Sequence, residues 1–245
     1  MTTRAQFLER IRGEMRKTGG LFPAAASARP RRPAAAADTI RRELAERWEE
    51  ALTRFRGEFE RVGGVFHRVA ALEAVPEVVG AIAGQSGARR LVSWHPAALG
   101  GDLTPTLCAR GLTVEPMPGA EVSAAERRRL GALVAEADLG LTGVDLAIAE
   151  TGTLVLRSGA GRPRSTSLLP ACHVAVFDRS VLVETLAQAG VFLEAWQEET
   201  GPEWGAAVNL ITGPSRTADI ELTLTRGVHG PKDVHAVFVD RPIRA

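Results

Sequence analysis

Tyrosine is absent from this chain, and aromatic residues fill only 5% of its 245 positions. No phenol is therefore available as acid, base or nucleophile, and aromatic faces are too few to stack a run of nucleic-acid bases. Cysteine is scarce as well: Cys108 and Cys172 stand alone in separate segments. Two thiols exclude a disulfide framework and any zinc or iron–sulfur site built from four cysteines, and each reads first as a small buried hydrophobe. Excess charge of either sign is missing, since 30 Lys and Arg face 29 Asp and Glu for a net charge of +1. That balance supplies no global reason to bind nucleic acid or an anionic membrane. No apolar run reaches the ~18 residues that a membrane span requires. The opening stretch MTTRAQFLERIRGEMRK lacks the apolar core and small-residue cleavage site of a signal peptide, so a cytoplasmic location is expected.

What is present has the composition of a soluble globular protein, 45% hydrophobic and 24% charged. The length suits one large domain or two small ones with a substantial core. Phe7, Leu8, Ile11 and Met15 recur at helical spacing and predict an amphipathic helix over residues 3–17. Residues 18–38, TGGLFPAAASARPRRPAAAAD, have no periodicity and predict a linker or extended arm. Its arginines Arg29, Arg31 and Arg32 either meet an acidic partner or are simply solvated. The expected division is thus an N-terminal helix and linker over 1–38 and an α/β domain over 39–245.

From Ile40 to Arg61 the apolar positions keep a helical period, with Asp38 or Thr39 as the expected cap. Strands are expected at 65–70, 91–94 and 112–117, with helices near 73–84, 96–109 and 123–137. Ser123 with Glu126 three positions on is a capping-box pattern. The remainder is strand-rich, in LGLTGVDLAIA, TLVLRS, CHVAVF, NLITG and HAVFVD, with helices expected at 179–189 and 192–200. Alternation of strands and helices predicts an α/β fold with a mainly parallel sheet, and the proximity of TLVLRS and HVAVF predicts that those two pair antiparallel.

Dense Gly, Pro, Ser, Thr and Arg clusters sit between these apolar runs, at strand ends where ligands of open α/β sheets bind. Glu150-Thr151-Gly152-Thr153 offers a carboxylate for nucleophilic or general-base work, with a glycine that lets a ligand approach the backbone. The same residues equally suit a tight hairpin. Residues 157–167, RSGAGRPRSTS, hold Arg157, Arg162 and Arg164 with Ser158, Ser165, Thr166 and Ser167, a set suited to phosphate or carboxylate or to a solvated loop. No Gly-Lys-Ser/Thr ending is present, so this is not a P-loop. Gly213-Pro214-Ser215-Arg216-Thr217-Ala218-Asp219 predicts a strand entering a turn and then a helix, capped by Ser215 or Thr217; Arg216 would strengthen an anion site there, and Asp219 would oppose it unless it pairs or binds a hydroxyl. His229 and His235 lie six apart near Asp233, without the i, i+4 spacing of a helical metal pair, and no metal site is expected. His173, at the start of a strand after Pro170, is an acid/base candidate or a hydrogen-bonded structural histidine.

The stretches AIAETGTLVL, SLLPACHVAVF, TGPSRTADIELTLTRGVHGP and HAVFVD, with WEEALTRFRGEFERVGGVFHRV upstream, resemble the lactate-utilisation protein C (LutC/YkgG) family, which carries the LUD domain. The likeness covers roughly residues 40–240, and the linker at 18–38 departs from a compact family pattern. The resemblance implies a three-layer α/β/α fold like that of the NagB/RpiA/CoA-transferase group. It also implies a part in the oxidation of L-lactate to pyruvate beside iron–sulfur partner proteins. Since two cysteines cannot hold a four-cysteine cluster, no cofactor is expected on this chain itself, and the clusters belong to the partners. The leading expectation is a non-redox subunit or accessory factor that holds a small anionic ligand among Thr151, Gly152, Thr153, Arg157, Arg164, Ser165, Gly213, Ser215, Arg216, Thr217, Asp219 and His229. The alternatives are a stand-alone enzyme acting on an acyl-CoA or sugar phosphate through Glu150, with His173 as a second candidate, or a metabolite-binding regulator.

Overall fold

The computed structural model describes residues 3–17, 30–198, 207–218 and 224–243. Helix α1 (Arg4–Lys17) has the expected span, and Phe7, Leu8 and Ile11 are exposed on it. Helix α2 runs Pro33–Arg61 and starts earlier than the expected cap at Asp38 or Thr39. Proline at the first helical position followed by four alanines favours the helix intrinsically, and the burial of Pro33 and Ala37 anchors that first turn. Thr39 instead turns its hydroxyl back to the Ala35 carbonyl at 3.0 Å.

A six-stranded, wholly parallel sheet forms the centre. Its strands are β1 (Val65–Val69), β2 (Arg90–Ser93), β3 (Thr113–Pro116), β4 (Leu139–Gly143), β7 (Cys172–Asp178) and β12 (Asp233–Val239), in the order β1-β12-β7-β4-β2-β3. Strand side chains alternate between faces. On one face α2 lays Phe55 against Phe177, with ring centroids 5.3 Å apart, and Trp48 against Phe238 at 5.7 Å. Helix α6 (Ala124–Ala135) joins the same side by packing Leu130 and Val134 with Val92. Leu139, Leu141, Val174 and Val176 lie in the other register, sharing a core with Val75, Val79 and Ile82 of α3 (Val75–Ser86) and Leu107 of α5 (Thr104–Ala109). The result is the expected α/β architecture, a parallel sheet with helices on both sides.

A second sheet of four strands has the order β8-β5-β6-β9 and comprises β5 (Leu146–Ile148), β6 (Thr153–Arg157), β8 (Leu182–Val183) and β9 (Val208–Ile211). One of its faces joins the main core through Ala147, Leu154 and Leu156. The other packs Ile148 and Val155 against Phe192 and Trp196 of α8 (Leu186–Glu198). This sheet overturns the expected pairing of TLVLRS with HVAVF: β6 pairs antiparallel with β5 and β9, and β7 lies in the parallel sheet between β12 and β4. LGLTGVDLAIA is likewise two strands, broken at Val144-Asp145 where the chain leaves one sheet for the other.

Three further differences are local. The segment 96–109 is two short helices, α4 (Pro96–Leu99) and α5, parted where Gly100 takes φ +82°. No helix spans 179–189: a 3-10 turn at Arg179–Val181 leads into β8, and α8 starts at Leu186. After Gly213 the chain forms β10 (Arg216–Ala218), paired antiparallel with β11 (Leu224–Arg226), and not the capped helix. Thr217, a β-branched residue, faces Thr225 across that pair. A four-residue helix, α7 (Ser165–Leu168), precedes β7.

Candidate functional site

The polar clusters of the sequence separate into two groups at opposite ends of the parallel sheet. The first gathers where strands β1, β7 and β12 begin. Glu150, Thr151 and Gly152 form the turn between β5 and β6. Gly152 takes φ +60° and presses on the last turns of α2, where an added Cβ would sit 2.3 Å from the Phe59 nitrogen. The hydroxyls of Thr151 and Thr153 are 2.7 Å apart, and those of Thr153 and Thr212 also 2.7 Å, a continuous hydroxyl chain. Gly213, at φ +78°, packs on Val62, and the Arg216 guanidinium donates to the Val62 carbonyl. The Ser215 amide donates to the Pro231 carbonyl at 2.9 Å, which ties this segment to the entry of β12. His229 is exposed in the adjoining turn, and Asp219 lies outside the described residues.

Glu150 is half-buried and committed: its carboxylate accepts from the Leu186 amide at 2.8 Å, at the start of α8. A carboxylate there satisfies an orphan amide and faces the positive end of the helix. His173 is wholly buried in the sheet, its Nε2 2.9 Å from the Thr142 hydroxyl. Burial first, and then the neighbouring His235, push its pKa down to about 3, so the ring is neutral near pH 7. Its Nδ1 has no hydrogen-bond partner among the described residues. His235 in turn stands 3.1 Å from His67, Nδ1 to Nε2, and burial and that neighbour lower it to about 4.

The second group gathers where β4 and β7 end. Asp145 lies two residues past the end of β4, and its side chain is only 7% exposed. It accepts from the Arg157 amide at 2.7 Å, from Arg157 Nε at 3.3 Å and from the Arg162 guanidinium at 3.2 Å. Arg157 lies over Trp196, 4.2 Å from the ring centroid, and Arg41 lies over Phe192 at 4.8 Å. Asp178, at the end of β7, accepts from the backbone amides of Ser180, at 2.7 Å, and of Ile243. Arg41, Asp145, Arg157, Asp178 and Trp196 border a cavity of about 250 Å³ that also meets Leu99, Val144 and Val181. It lies at the carboxyl ends of parallel strands beside the reversal of connection direction between β2 and β4, the usual ligand crevice of open α/β sheets.

The sequence-derived ligand set is therefore divided. Thr151, Gly152, Thr153, Gly213, Ser215, Arg216 and Thr217 belong to the first group, with His229 beside them. Arg157 belongs to the second, since the five residues of β6 carry the chain about 14 Å from Thr153. Arg164 and Ser165 stand at the start of α7. Asp145, Arg41, Asp178 and Trp196 were not singled out from sequence. Asp145 is the one charged residue within the apolar run LGLTGVDLAIA, a signal of a buried carboxylate that needs partners. Arg41 and Trp196 had none, because each reaches the cavity from a helix distant in sequence.

The model of the LUD domain family matches residues 52–239. "Lactate utilization protein C" of Geobacillus sp. (strain WCH70) is 42% identical over 107 residues, 43% of this chain and 44% of that protein. "Lactate utilization protein C" of Macrococcus caseolyticus (strain JCSC5402) is 44% identical over 104 residues, 42% of this chain and 45% of the relative. The chain thus spans about half the length of the curated relatives it matches. A crystal structure of a DUF162 family protein from Deinococcus radiodurans superposes with a TM-score of 0.51 at 23% identity, over 78% of this chain and 98% of that one, a likeness of fold.

Proposed function

This chain belongs to the LUD domain family, and from that premise we propose that it serves lactate utilization as a non-redox component that works with iron–sulfur partner proteins. The names borne by its relatives point to lactate utilization. The observation that carries a role in ligand binding is the cavity bordered by Arg41, Arg157, Asp145 and Ser180. Its size suits a small hydroxy- or keto-acid. Arg157 supplies the planar fork that recognises carboxylates, and Asp145 and Trp196 hold that fork in one orientation. Arg41, whose guanidinium also pairs with Asp38 at 3.0 Å, adds a second donor fork at the rim, and the Ser180 hydroxyl is of a kind to meet the hydroxyl or carbonyl of the acid.

Electron transfer is assigned to partners on chemical grounds. Cys108 and Cys172 are too few for a four-cysteine cluster, and burial pushes the Cys172 thiol up to about 12, so it stays protonated near pH 7. The reading of a stand-alone enzyme with a Glu150 nucleophile draws no support from the geometry, because that carboxylate caps α8.

The test is purification of the tagged chain under anaerobic conditions from its native cells grown on lactate. Iron–sulfur proteins should co-purify in fixed ratio, and pyruvate should bind the isolated chain in calorimetry but not its Arg157→Gln variant. Oxidation of lactate by the purified chain alone, with a dye as acceptor, would overturn the proposal. So would pyruvate binding that is indifferent to Arg157→Gln.

A further inference from the structure

A second cavity, of about 530 Å³, opens between α6, the segment 117–122 that follows β3, and the loop 159–165. Its floor is apolar: Met117, Leu130 and Val134 are buried there. The facing wall is Gly159-Ala160-Gly161, which offers bare backbone in place of side chains and lets a flat body approach closely. That wall is fixed in place. The His95 amide donates to the Gly161 carbonyl at 2.8 Å, and the Trp94 indole N–H donates to the Pro163 carbonyl at 3.3 Å. Protein interiors seldom leave voids larger than a water molecule, whereas small-molecule sites run to about 300–1,000 Å³.

Two charged residues border the cavity, Arg127 and Glu121. Neither makes an ion pair or side-chain hydrogen bond among the described residues. Arg129, two positions along, is by contrast tied to Glu126 at 2.8 Å and Glu115 at 2.9 Å. An uncommitted guanidinium beside an apolar slot is complementary to a molecule with an apolar body and one anionic group.

We propose that this cavity binds an aromatic or acyl monoanion, with the apolar body against Leu130, Val134 and the Gly159–Gly161 wall, the anionic group on Arg127, and any N–H or O–H donor turned to Glu121. The site is separate from the Asp145 cavity, and the loop between them contributes to both, since Arg162 holds Asp145. The proposal does not depend on the role assigned to that cavity.

The test uses anilinonaphthalene sulfonate, an aromatic monoanion with one N–H, and neutral N-phenylnaphthylamine as its uncharged counterpart. Both should bind the full chain saturably at one site. Gly131→Leu and Ala160→Leu fill the cavity from opposite walls. A Cβ at Gly131 meets nothing within 4 Å, and leucine is a better helix former than glycine, so that variant should fold. Each should weaken both probes at least tenfold. Arg127→Gln should weaken only the anionic probe, by about fivefold for a unit charge at a solvated rim, and Glu121→Gln should strengthen it. Probe binding that does not saturate, that survives both leucine substitutions, or that ignores both charge substitutions would overturn the proposal.

Discussion

Replacement of Asp145 by alanine should be among the most damaging single changes outside the hydrophobic core. The carboxylate accepts from the Arg157 amide and from the guanidinium groups of Arg157 and Arg162, whose side chains are only 20% and 13% exposed. Removing one partner of a buried ionic group costs about 3–5 kcal/mol, because the remaining charges stay desolvated without compensation. Residual exposure of both arginines argues for the lower end, so the expected loss is about 3 kcal/mol. In a chain of this size about 1 kcal/mol lowers Tm by about 2–4 °C, so the drop should be about 6–12 °C. Asp145→Asn keeps an oxygen for the Arg157 amide and loses the charge, and should cost roughly half as much. Urea unfolding gives these free energies directly. The decisive control is Asp145→Ala in a background of Arg157→Met and Arg162→Met, where no positive charge is left unpaired and the added loss should shrink to about 1 kcal/mol. A loss below about 1 kcal/mol in the wild-type background, or an undiminished loss in the double-methionine background, would refute the reasoning.

Gly152→Ala forces a side chain into φ +60° and against the Phe59 backbone, and urea titration should show a loss of at least about 2 kcal/mol. Glu150→Gln retains an acceptor for the Leu186 amide and should leave stability within about 1 kcal/mol, whereas Glu150→Ala should lose about 1 kcal/mol, the usual worth of a helix cap, as read by thermal melting. Acid should destabilise the fold through its histidines. His173 is lowered to about 3, His235 to about 4, and His67 is lowered too. Their contribution is full above the unfolded pKa near 6.5 and falls with pH, because the unfolded chain then binds protons that the folded chain refuses. Each of His173 and His235 should add about 1.4 kcal/mol per pH unit to the slope between pH 6 and the folded values, and equal urea midpoints at pH 7 and pH 5 would contradict this. Ellman's reagent should titrate one thiol of the native chain quickly, the exposed Cys108, and reach buried Cys172 only after denaturant is added.

Local chemistry was the legible part of the fold. The Ser123 hydroxyl accepts from the Glu126 amide at 3.1 Å, as the capping pattern requires, although the Glu126 carboxylate turns to Arg129 and not back to Ser123. The strand runs near 65–70, 91–94 and 112–117 correspond to β1, β2 and β3 within a residue or two. Strand partners were not legible. TLVLRS and CHVAVF are equally apolar and near in sequence, yet burial on different layers sends them to different sheets. Nothing within VDL marks the crossing between sheets, because both flanking strands are buried on both faces. The segment after Gly213 misled for a related reason: Ser-Arg-Thr has the chemistry of a helix cap, and pairing with β11, invisible locally, decides the outcome. In the candidate sites, proximity in sequence is not proximity in space. Arg157 lies four residues beyond Thr153, but an extended strand spends those residues on crossing the molecule.

The place of β12 has a consequence for how the molecule comes into being. It is the last strand in sequence among the described residues, yet it sits between β1 and β7, pairing Val65 with His235 and Asp233 with Cys172. A chain emerging from the ribosome therefore carries β1 without its neighbour until Asp233–Val239 has been made, and Phe55 waits for Phe177, which itself packs on Phe238. Contacts this distant in sequence are slow to close, since their loop entropy is lost before their pairing is gained. The sheet cannot close until β12 has been made and has entered between β1 and β7. A nascent chain stalled before Asp233 should be a client of holding chaperones and an easy target for proteases.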